Sequence, residues 1–469
     1  MHAHATAATP ATPGGTAQAD TGRPTAIQIV TLVLCFLVVA ADGFDVASVS
    51  YVAPLLRKVW SLTPTALGPI FGAGLFGLAV GSFVFGPLAD KIGRKRVIAL
   101  SLLLFGAGSL ACAVAPSAAW LIVLRFVTGA GLGGAMPNAI TLSSEFAPPR
   151  NRALLVTLMF CGFTLGLAFG GAVASVLIPR FGWQGVFAFG GLFPLVLVPC
   201  IWLWLPESLR FMAGKPRYAR EAQRVAQRLG EAAHSLLQGT HTESAAASGT
   251  GHTGDKHRER VIGLLFSPRY RAGTVLLWLA FFCTLWVYYQ ISSWLPLVVT
   301  GAGIDPVHAA RVGAMMPLGG TIGSLVNARL IDRLNPFLVL AASYAIAAAA
   351  IAAIGMSIHL PVLIYCSVFV TGYGLSGAQT AANVLVAGFY TTAARATGVS
   401  WALGIGRIGS IFGSMTGGVI LAWFGRVEPA FIAFAVPVVL AGAAMVVAGR
   451  LYPRGSLDER ARVATSSGH

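Results

Sequence analysis

Charged residues are scarce in this chain, and their scarcity indicates its class. They make up 10% of 469 residues, whereas hydrophobic residues make up 56%. An ordinary soluble chain carries about 25% charged residues, so most of this chain cannot face water. The short segments of alternating hydrophobicity that a membrane β-barrel requires are also lacking. The chain instead has apolar runs of about 20 residues, each long enough to cross a ~30 Å hydrocarbon core. We predict an all-α integral membrane protein in a lipid bilayer.

Several functional signatures are missing as well. The six cysteines lie within apolar runs and form no CxxC pair, so neither a disulfide framework nor a metal site is expected. No Walker sequence is present, which argues against direct use of ATP. We therefore expect no cofactor and no enzymatic activity.

Acidic residues are half as numerous as basic ones. The chain has 16 Asp and Glu against 32 Lys and Arg, a formal net charge of +16. The basic residues gather in short linkers between apolar runs and in one long central stretch. This placement is typical of loops retained in the cytoplasm, and it argues against a nucleic-acid partner. We predict a multi-pass protein of the inner cell membrane with both termini in the cytoplasm.

The apolar runs form two sets of six. The predicted spans are 26–50, 65–87, 96–115, 119–142, 153–178, 184–205, 272–299, 309–330, 336–357, 361–388, 396–423 and 429–450. They predict an N-terminal six-helix bundle over 25–205 and a C-terminal one over 272–451. A cytoplasmic central loop, 206–271, joins the bundles. We expect a disordered tail over 1–24, rich in Ala, Thr, Pro and Gly, and a cytoplasmic tail over 452–469.

The two sets repeat each other in sequence. FVTGAGLGGA at 126–135 matches FVTGYGLSGA at 369–378, an offset of 243 positions, and RA at 152–153 recurs at 395–396 with the same offset. One offset kept across several helices predicts two bundles in parallel orientation. Transporters with such repeats bind substrate at the repeat interface and expose it alternately to each side of the membrane.

Specific motifs now carry a family resemblance. GPLADKIGRKRV at 86–97 resembles the loop between helices two and three of the major facilitator superfamily, and LPESLRF at 205–211 resembles the segment that often follows helix six there. DGFD at 42–45, RFVTGAGLGGAMPN at 125–138 and RATGVSWALGIGRIGSIFG at 395–413 are similar to its aromatic acid/proton symporters. The resemblance covers about residues 25–450. It implies two pseudo-symmetric six-helix bundles and a monomer that imports a benzoate- or hydroxybenzoate-type anion by alternating access, driven by a proton gradient.

Four charged residues lie well inside the predicted spans, away from the span ends: Asp42, Asp45, Arg125 and Arg407. An ionised side chain at a helix centre costs roughly 2.5–3.5 kcal/mol on insertion scales, so each is a functional candidate. The i,i+3 spacing puts both acids near one helical face, and at ~1.5 Å rise per residue they share a depth with Arg125. An Asp–Arg pairing is therefore geometrically possible. The resemblance implies proton coupling at Asp42 and Asp45, and the sequence does not decide which of them carries the proton.

A carboxylate substrate needs a cation. Arg407 lies near the membrane midplane, and a guanidinium can hold a carboxylate through two hydrogen bonds. We predict Arg407 and Arg125 as substrate-binding residues. The alternatives are a fixed salt bridge of Arg125 with Asp45 and a structural pairing or capping role for Arg407. For the ring pocket we select Tyr288 and Gln290, and also Trp401 in the predicted span 396–423, although aromatic belts are common at membrane interfaces.

The superfamily loop suggests a gate on the cytoplasmic side. The predicted gate residues are Gly86, Asp90, Gly93, Arg94, Lys95, Glu145, Asp332 and Arg333. Our hypothesis is that these charges latch the two bundles together and release them to open inward. The alternative is that they serve only membrane topology and loop folding.

Other substrates remain open at this stage. The chain could carry another small organic anion such as a dicarboxylate or a sugar acid, export drugs in exchange for protons, or act as a transporter-like chemoreceptor. The membrane arginines favour an anion over a cationic drug. The fifth span contains GLAFGG without the proline of drug antiporters, which counts against an exporter.

Overall fold

The computed structural model describes residues 25–147, 152–213, 215–229, 263–390 and 392–452. The predicted tail 1–24, most of the predicted tail 452–469 and much of the central loop lie outside these ranges. The described part of the central loop is partly helical, with α-helices Leu209–Ala213 and Ala219–Leu229 and a 3₁₀ turn, Pro216–Tyr218.

The described residues form twelve helices of membrane-spanning length. They are α1 Ala26–Val59, α2 Pro64–Ile92, α3 Arg94–Ala113, α4 Ala118–Phe146, α5 152–181, α6 183–204, α7 Arg271–Gly301, α8 Pro306–Arg333, α9 Pro336–Ser357, α10 Pro361–Phe389, α11 Thr392–Phe424 and α12 Val427–Leu451. By length and hydropathy ten helical stretches in this part of the chain qualify as spans. The count is ten because α5 and α6 run on as one stretch, and because glycines and polar side chains lower the hydropathy of α8.

A single glycine separates α5 from α6. The helical stretch Arg152–Trp204 contains one non-helical residue, Gly182, at φ 64° and ψ −164°. L-residues with a side chain rarely adopt a positive φ, and glycine adopts it freely. The break falls between the two spans that the sequence predicts at 153–178 and 184–205.

The helices pack as two bundles with the same internal pattern. In the first, α1 packs on α5, α2 on α4, and α3 on α4 and α6. In the second, α7 packs on α11, α8 on α10, and α9 on α10 and α12. Each pair recurs with its helix numbers raised by six, so the predicted all-α fold of two pseudo-symmetric six-helix bundles is confirmed.

Glycines explain how α2 approaches α4 so closely. A Cβ on Gly77 would overlap the backbone of Phe126, and one on Gly81 would overlap that of Ala130. In the second bundle, Gly319 and Gly323 of α8 meet the backbone of α10 in the same way. Small residues at this spacing permit backbone contact between membrane helices.

We call the side of the membrane where α1 begins and α12 ends the terminal side, and the opposite side the far side. In the far half the two bundles close on each other. Met415 of α11 fills the space beside Gly68 and Gly72 of α2, and the rings of Phe71 and Trp294 meet with centroids 5.1 Å apart. The space between the bundles therefore lies in the terminal half.

Candidate functional site

Asp45 and Arg125 form a bidentate ion pair between α1 and α4. Arg125 Nη1 donates to Asp45 Oδ1 at 2.6 Å, and Nη2 donates to Oδ2 at 2.7 Å. The two residues are only 2% and 4% exposed. Gly74 of α2 gives the guanidinium room, because a Cβ there would lie 3.0 Å from Arg125 Nη2. The structure thus contains the Asp–Arg pairing expected from depth along the helices.

Asp42 lies one turn earlier on α1 in a different environment. It is 1% exposed, and its Oδ1 has no hydrogen-bond partner in the described part of the chain. The charges of Asp45 and Arg407 both act on it. An ionised carboxylate buried without a hydrogen-bonded partner is costly, so Asp42 and Asp45 are not equivalent.

Arg407 connects the two bundles. From α11 its Nη1 donates to Ser82 Oγ of α2 at 2.8 Å, and the Ser82 hydroxyl in turn donates to Leu78 O at 2.8 Å. Arg407 is half-buried and does not belong to the described lining of the central cavity. In this conformation its guanidinium therefore spans the interface between bundles beside that cavity.

The central cavity is a space of about 410 Å³ between the bundles. Its first-bundle wall is mostly apolar and comprises Met136, Thr157, Phe160, Cys161, Phe163 and Thr164. Its second-bundle wall is mostly polar and comprises Thr284, Leu285, Tyr288, Tyr289, Thr321, Ser324, Leu325, Leu375, Ser376, Gln379, Thr380 and Asn383. Ligand sites usually occupy about 300–1,000 Å³, so this cavity can hold a small molecule.

Two adjacent tyrosines link the central cavity to the charged residues. Tyr288 and Tyr289 both line it, with ring centroids 5.5 Å apart. Tyr289 also lines a second cavity, of about 20 Å³, together with Asp45, Arg125 and Ser293. A space of this size can hold one water molecule. Because Tyr289 lines both spaces, it connects the central cavity to the Asp45–Arg125 pair.

The other predicted pocket residues lie elsewhere. Trp401 is 44% exposed and stacks on Trp278 with centroids 5.5 Å apart, away from the described cavity wall. In this conformation Trp401 lies on the outer surface of its bundle, and its role in substrate binding stays a prediction. Gln290 is fully buried, and neither of its amide atoms has a hydrogen-bond partner among the described residues. It does not line the described cavity.

Two of the predicted gate residues, Arg94 and Glu145, form a network inside the first bundle. Arg94 of α3 pairs with Glu145 of α4. The Ser208 hydroxyl donates to Glu145 Oε2 at 2.6 Å and accepts from Arg94 Nη1 at 3.1 Å. In this conformation these charges therefore tie α3 and α4 to the segment after α6, and they do not tie one bundle to the other.

A carboxylate that sequence reasoning missed caps the start of α3. Glu207 Oε1 accepts the backbone N–H of Arg94 at 2.8 Å and of Lys95 at 3.1 Å. Gly93, just before, has φ 104°, which suits glycine. The available signal was LPESLRF, which was used only as a family motif although it contains both Glu207 and Ser208.

The remaining gate residues contribute less to this network. A Cβ on Gly86 would meet open space, and Asp90 and Arg333 are exposed. The side chain of Asp332 lies outside the described set. Asn138 of α4 donates within its own helix to Gly134 O at 2.7 Å.

Comparisons with known proteins agree with this geometry. The family model described as Major Facilitator Superfamily matches residues 35–370. A gallate transporter of Pseudomonas putida is 42% identical over 85% of this chain and 86% of its own length. A 4-hydroxybenzoate transporter of Acinetobacter baylyi is 41% identical over 84% of this chain and 85% of its own length.

Solved structures share the fold at low sequence identity. A partially occluded, inward-open xylose transporter of Escherichia coli superposes with a TM-score of 0.72 at 15% identity, covering 90% of this chain and 98% of that one. An inward-facing bacterial homolog of the human lysosomal transporter Spinster gives 0.69 at 18% identity, covering 91% and 98%. These likenesses support the architecture and nothing finer.

Proposed function

Because the chain belongs to the major facilitator superfamily and is closely related to its aromatic acid transporters, we propose that it imports a small aromatic carboxylate of the benzoate or hydroxybenzoate class together with a proton. The observation that carries the proposal is a cavity between the two bundles, whose lining residue Tyr289 also lines a small space beside Asp45 and Arg125. A cavity at the repeat interface is where such transporters bind substrate.

The ring and the carboxylate have different places in this proposal. The ring packs against the first-bundle wall at Phe160 and Phe163, where apolar contact stabilises it. The carboxylate points towards Tyr289 and the guanidinium of Arg407. A carboxylate makes a stronger hydrogen bond to a guanidinium than a neutral hydroxyl does. It can therefore replace Ser82 as the partner of Arg407.

That replacement would couple binding to movement. The bond from Arg407 to Ser82 joins α11 to α2, helices of different bundles. Substrate that takes over Arg407 releases this connection. The bundles then become free to move, while Met415 and its glycine neighbours close the far side in the conformation described.

We assign the proton to Asp42. Asp45 has two charge-assisted hydrogen bonds from Arg125, which stabilise it as a carboxylate. Asp42 is buried and its Oδ1 lacks a partner among the described residues, so a bound proton relieves the cost of a buried charge. Asp45 is then a fixed counter-charge, and Asp42 is the residue that gains and loses the proton.

The membrane orientation follows from loop charge. The short loops on the terminal side hold the basic residues around Lys91 and Arg94, and the same side carries the central loop. Basic loops stay in the cytoplasm, so we propose that the terminal side is cytoplasmic and that the protein acts as a monomer in the inner membrane. The latch between Asp90 and the α8 end at Asp332 and Arg333 remains a proposal for the conformation in which this side closes.

Uptake into proteoliposomes tests the function. We expect labelled 4-hydroxybenzoate and benzoate to accumulate when the outside is made acidic. The accumulation should exceed that in protein-free liposomes, which correct for unaided permeation of weak acids. Unlabelled succinate and gluconate should not compete. Competition by either, without accumulation of an aromatic acid, would assign the chain to another organic anion. Accumulation that ignores the gradient would refute proton coupling.

A further inference from the structure

The two walls of the central cavity differ in chemistry. The first-bundle wall presents aromatic rings, whereas the α10 face of the second presents Ser376, Gln379, Thr380 and Asn383. Their spacing of three or four residues places them on one side of α10. This polar face lies on a different helix from the Asp45–Arg125 pair and from Arg407, so the binding of a carboxylate at those charges does not account for it.

Most hydroxyls on this wall already have partners within the protein. Thr380 Oγ1 donates to Ser376 O at 3.1 Å and lies 2.8 Å from Ser324 Oγ. The Thr321 hydroxyl donates to Pro317 O in its own helix at 3.0 Å. These groups need no ligand to satisfy them.

Gln379 differs from its neighbours. Its Nε2 donates to Asn383 Oδ1 at a long 3.3 Å, while its Oε1 is buried and has no hydrogen-bond partner among the described residues. A buried acceptor without a donor is costly. The terminal torsion of a glutamine is broad, so a rotation turns this oxygen into the cavity that the side chain lines.

The position of Gln379 matches the length of a hydroxylated aromatic acid. At ~1.5 Å rise per residue, Tyr289 lies about 27 Å from the start of α7, and Gln379 lies about 15 Å from the end of α10. Both helix ends are on the terminal side, so the Cα atoms of the two residues differ in depth by about 12 Å. A para-hydroxybenzoate spans roughly 7 Å between its outer oxygens, and a hydrogen bond of about 2.8 Å at each end makes roughly 13 Å.

We propose that Gln379 Oε1 accepts a hydrogen bond from a ring hydroxyl of the substrate, so that the transporter selects hydroxylated aromatic acids over benzoate. The inference rests on the proposed function, and it adds a specificity-determining residue to it. Bound benzoate offers no donor and leaves the acceptor unpaired. Sites built to bind a hydroxyl discriminate against the analogue that lacks it for this reason.

Competition experiments in proteoliposomes test the proposal. Uptake of labelled 4-hydroxybenzoate is measured against increasing unlabelled 4-hydroxybenzoate or benzoate. For the unchanged protein we expect the half-inhibitory concentration of benzoate to be at least about tenfold higher. Gln379→Leu should bring the two half-inhibitory concentrations within about threefold of each other, chiefly by weakening the binding of 4-hydroxybenzoate.

Thr321→Val is the matched control. It removes a hydroxyl from the same wall, but one already bonded within its helix, so the selectivity ratio should stay that of the unchanged protein. The ratio compares two ligands on the same folded molecules and does not depend on expression. If Gln379→Leu transports too slowly to measure, the near-isosteric Gln379→Met replaces it. The preference between the two ligands can also be measured from the melting-temperature shift that each ligand causes in purified protein.

The outcomes distinguish failure of this proposal from failure of the proposed transport function. A ratio unchanged by both Gln379 variants, or equal affinities in the unchanged protein, overturns the role of Gln379 and leaves aromatic acid import in place. Failure of both acids to be transported overturns the proposed function itself.

Discussion

Arg125 contacts both carboxylate oxygens of Asp45, at 2.6 and 2.7 Å, whereas Asp42, three residues earlier, has a buried Oδ1 without a partner in the described part of the chain. Of two acids one turn apart on α1, one is therefore paired with a cation and the other is not hydrogen-bonded at Oδ1 by any described residue. The division of labour proposed here, a fixed counter-charge and a proton carrier, follows from that contrast.

The first prediction concerns the stability of the ion pair. Asp45→Asn should lower the melting temperature in detergent strongly, because it leaves Arg125 buried and uncompensated, a loss of about 3–5 kcal/mol for pairs of this kind. Asp42→Asn should leave the melting temperature equal or higher, since it removes a buried acid whose Oδ1 has no partner among the residues that the structure describes.

The double variant completes this test. Asp45→Asn with Arg125→Leu should recover much of the stability lost by Asp45→Asn alone, because no buried charge is left unpaired. The account is contradicted if Asp42→Asn destabilises the protein as much as Asp45→Asn, or if the double variant is no more stable than the single one.

The second prediction separates the two partners of the bond between bundles. Arg407→Ala should raise the apparent KM for aromatic carboxylates at least about tenfold, because it removes a charge-assisted bond. Ser82→Ala removes the competitor for the same guanidinium, so it should leave the KM equal or lower. An unchanged KM in Arg407→Ala would exclude this residue from substrate binding.

The third prediction addresses closure of the far side. Gly72→Leu should block the approach of Met415 to α2, because the side chain of Met415 occupies the space next to the Gly72 Cα. We expect slow transport, with cysteines introduced at the far ends of α2 and α11 becoming more accessible to a membrane-impermeant thiol reagent. Adding Met415→Ala to this variant should restore part of the rate, since it vacates that space. No recovery, together with unchanged accessibility, would show that this contact does not close the far side.

The sequence pattern was sufficient to predict the membrane helices and the depth of the charged residues within them. The regular rise of a helix placed Asp45 level with Arg125, and the 243-residue repeat required two similar bundles. The side of a helix that faces the cavity was harder to predict. Trp401 precedes Arg407 by six residues, about a third of a turn around the helix, and it therefore faces the outer surface instead of the cavity.

Long-range contacts lay beyond sequence reasoning. Glu207 reaches the start of α3 across 113 residues, and no local pattern indicates that partner. Gln379 was overlooked for a similar reason, because an amide in an apolar helix does not reveal whether a neighbour satisfies its oxygen. Both depend on how distant helices come together, which periodicity does not specify.

The most direct test of the central claim compares Asp42→Asn with the unchanged protein in proteoliposomes. The account predicts that the unchanged protein accumulates labelled 4-hydroxybenzoate above protein-free liposomes when the outside is acidic. Asp42→Asn should still exchange internal for external substrate at equal pH, but it should lose the gradient-driven accumulation. Accumulation by Asp42→Asn equal to that of the unchanged protein would contradict Asp42 as the proton carrier.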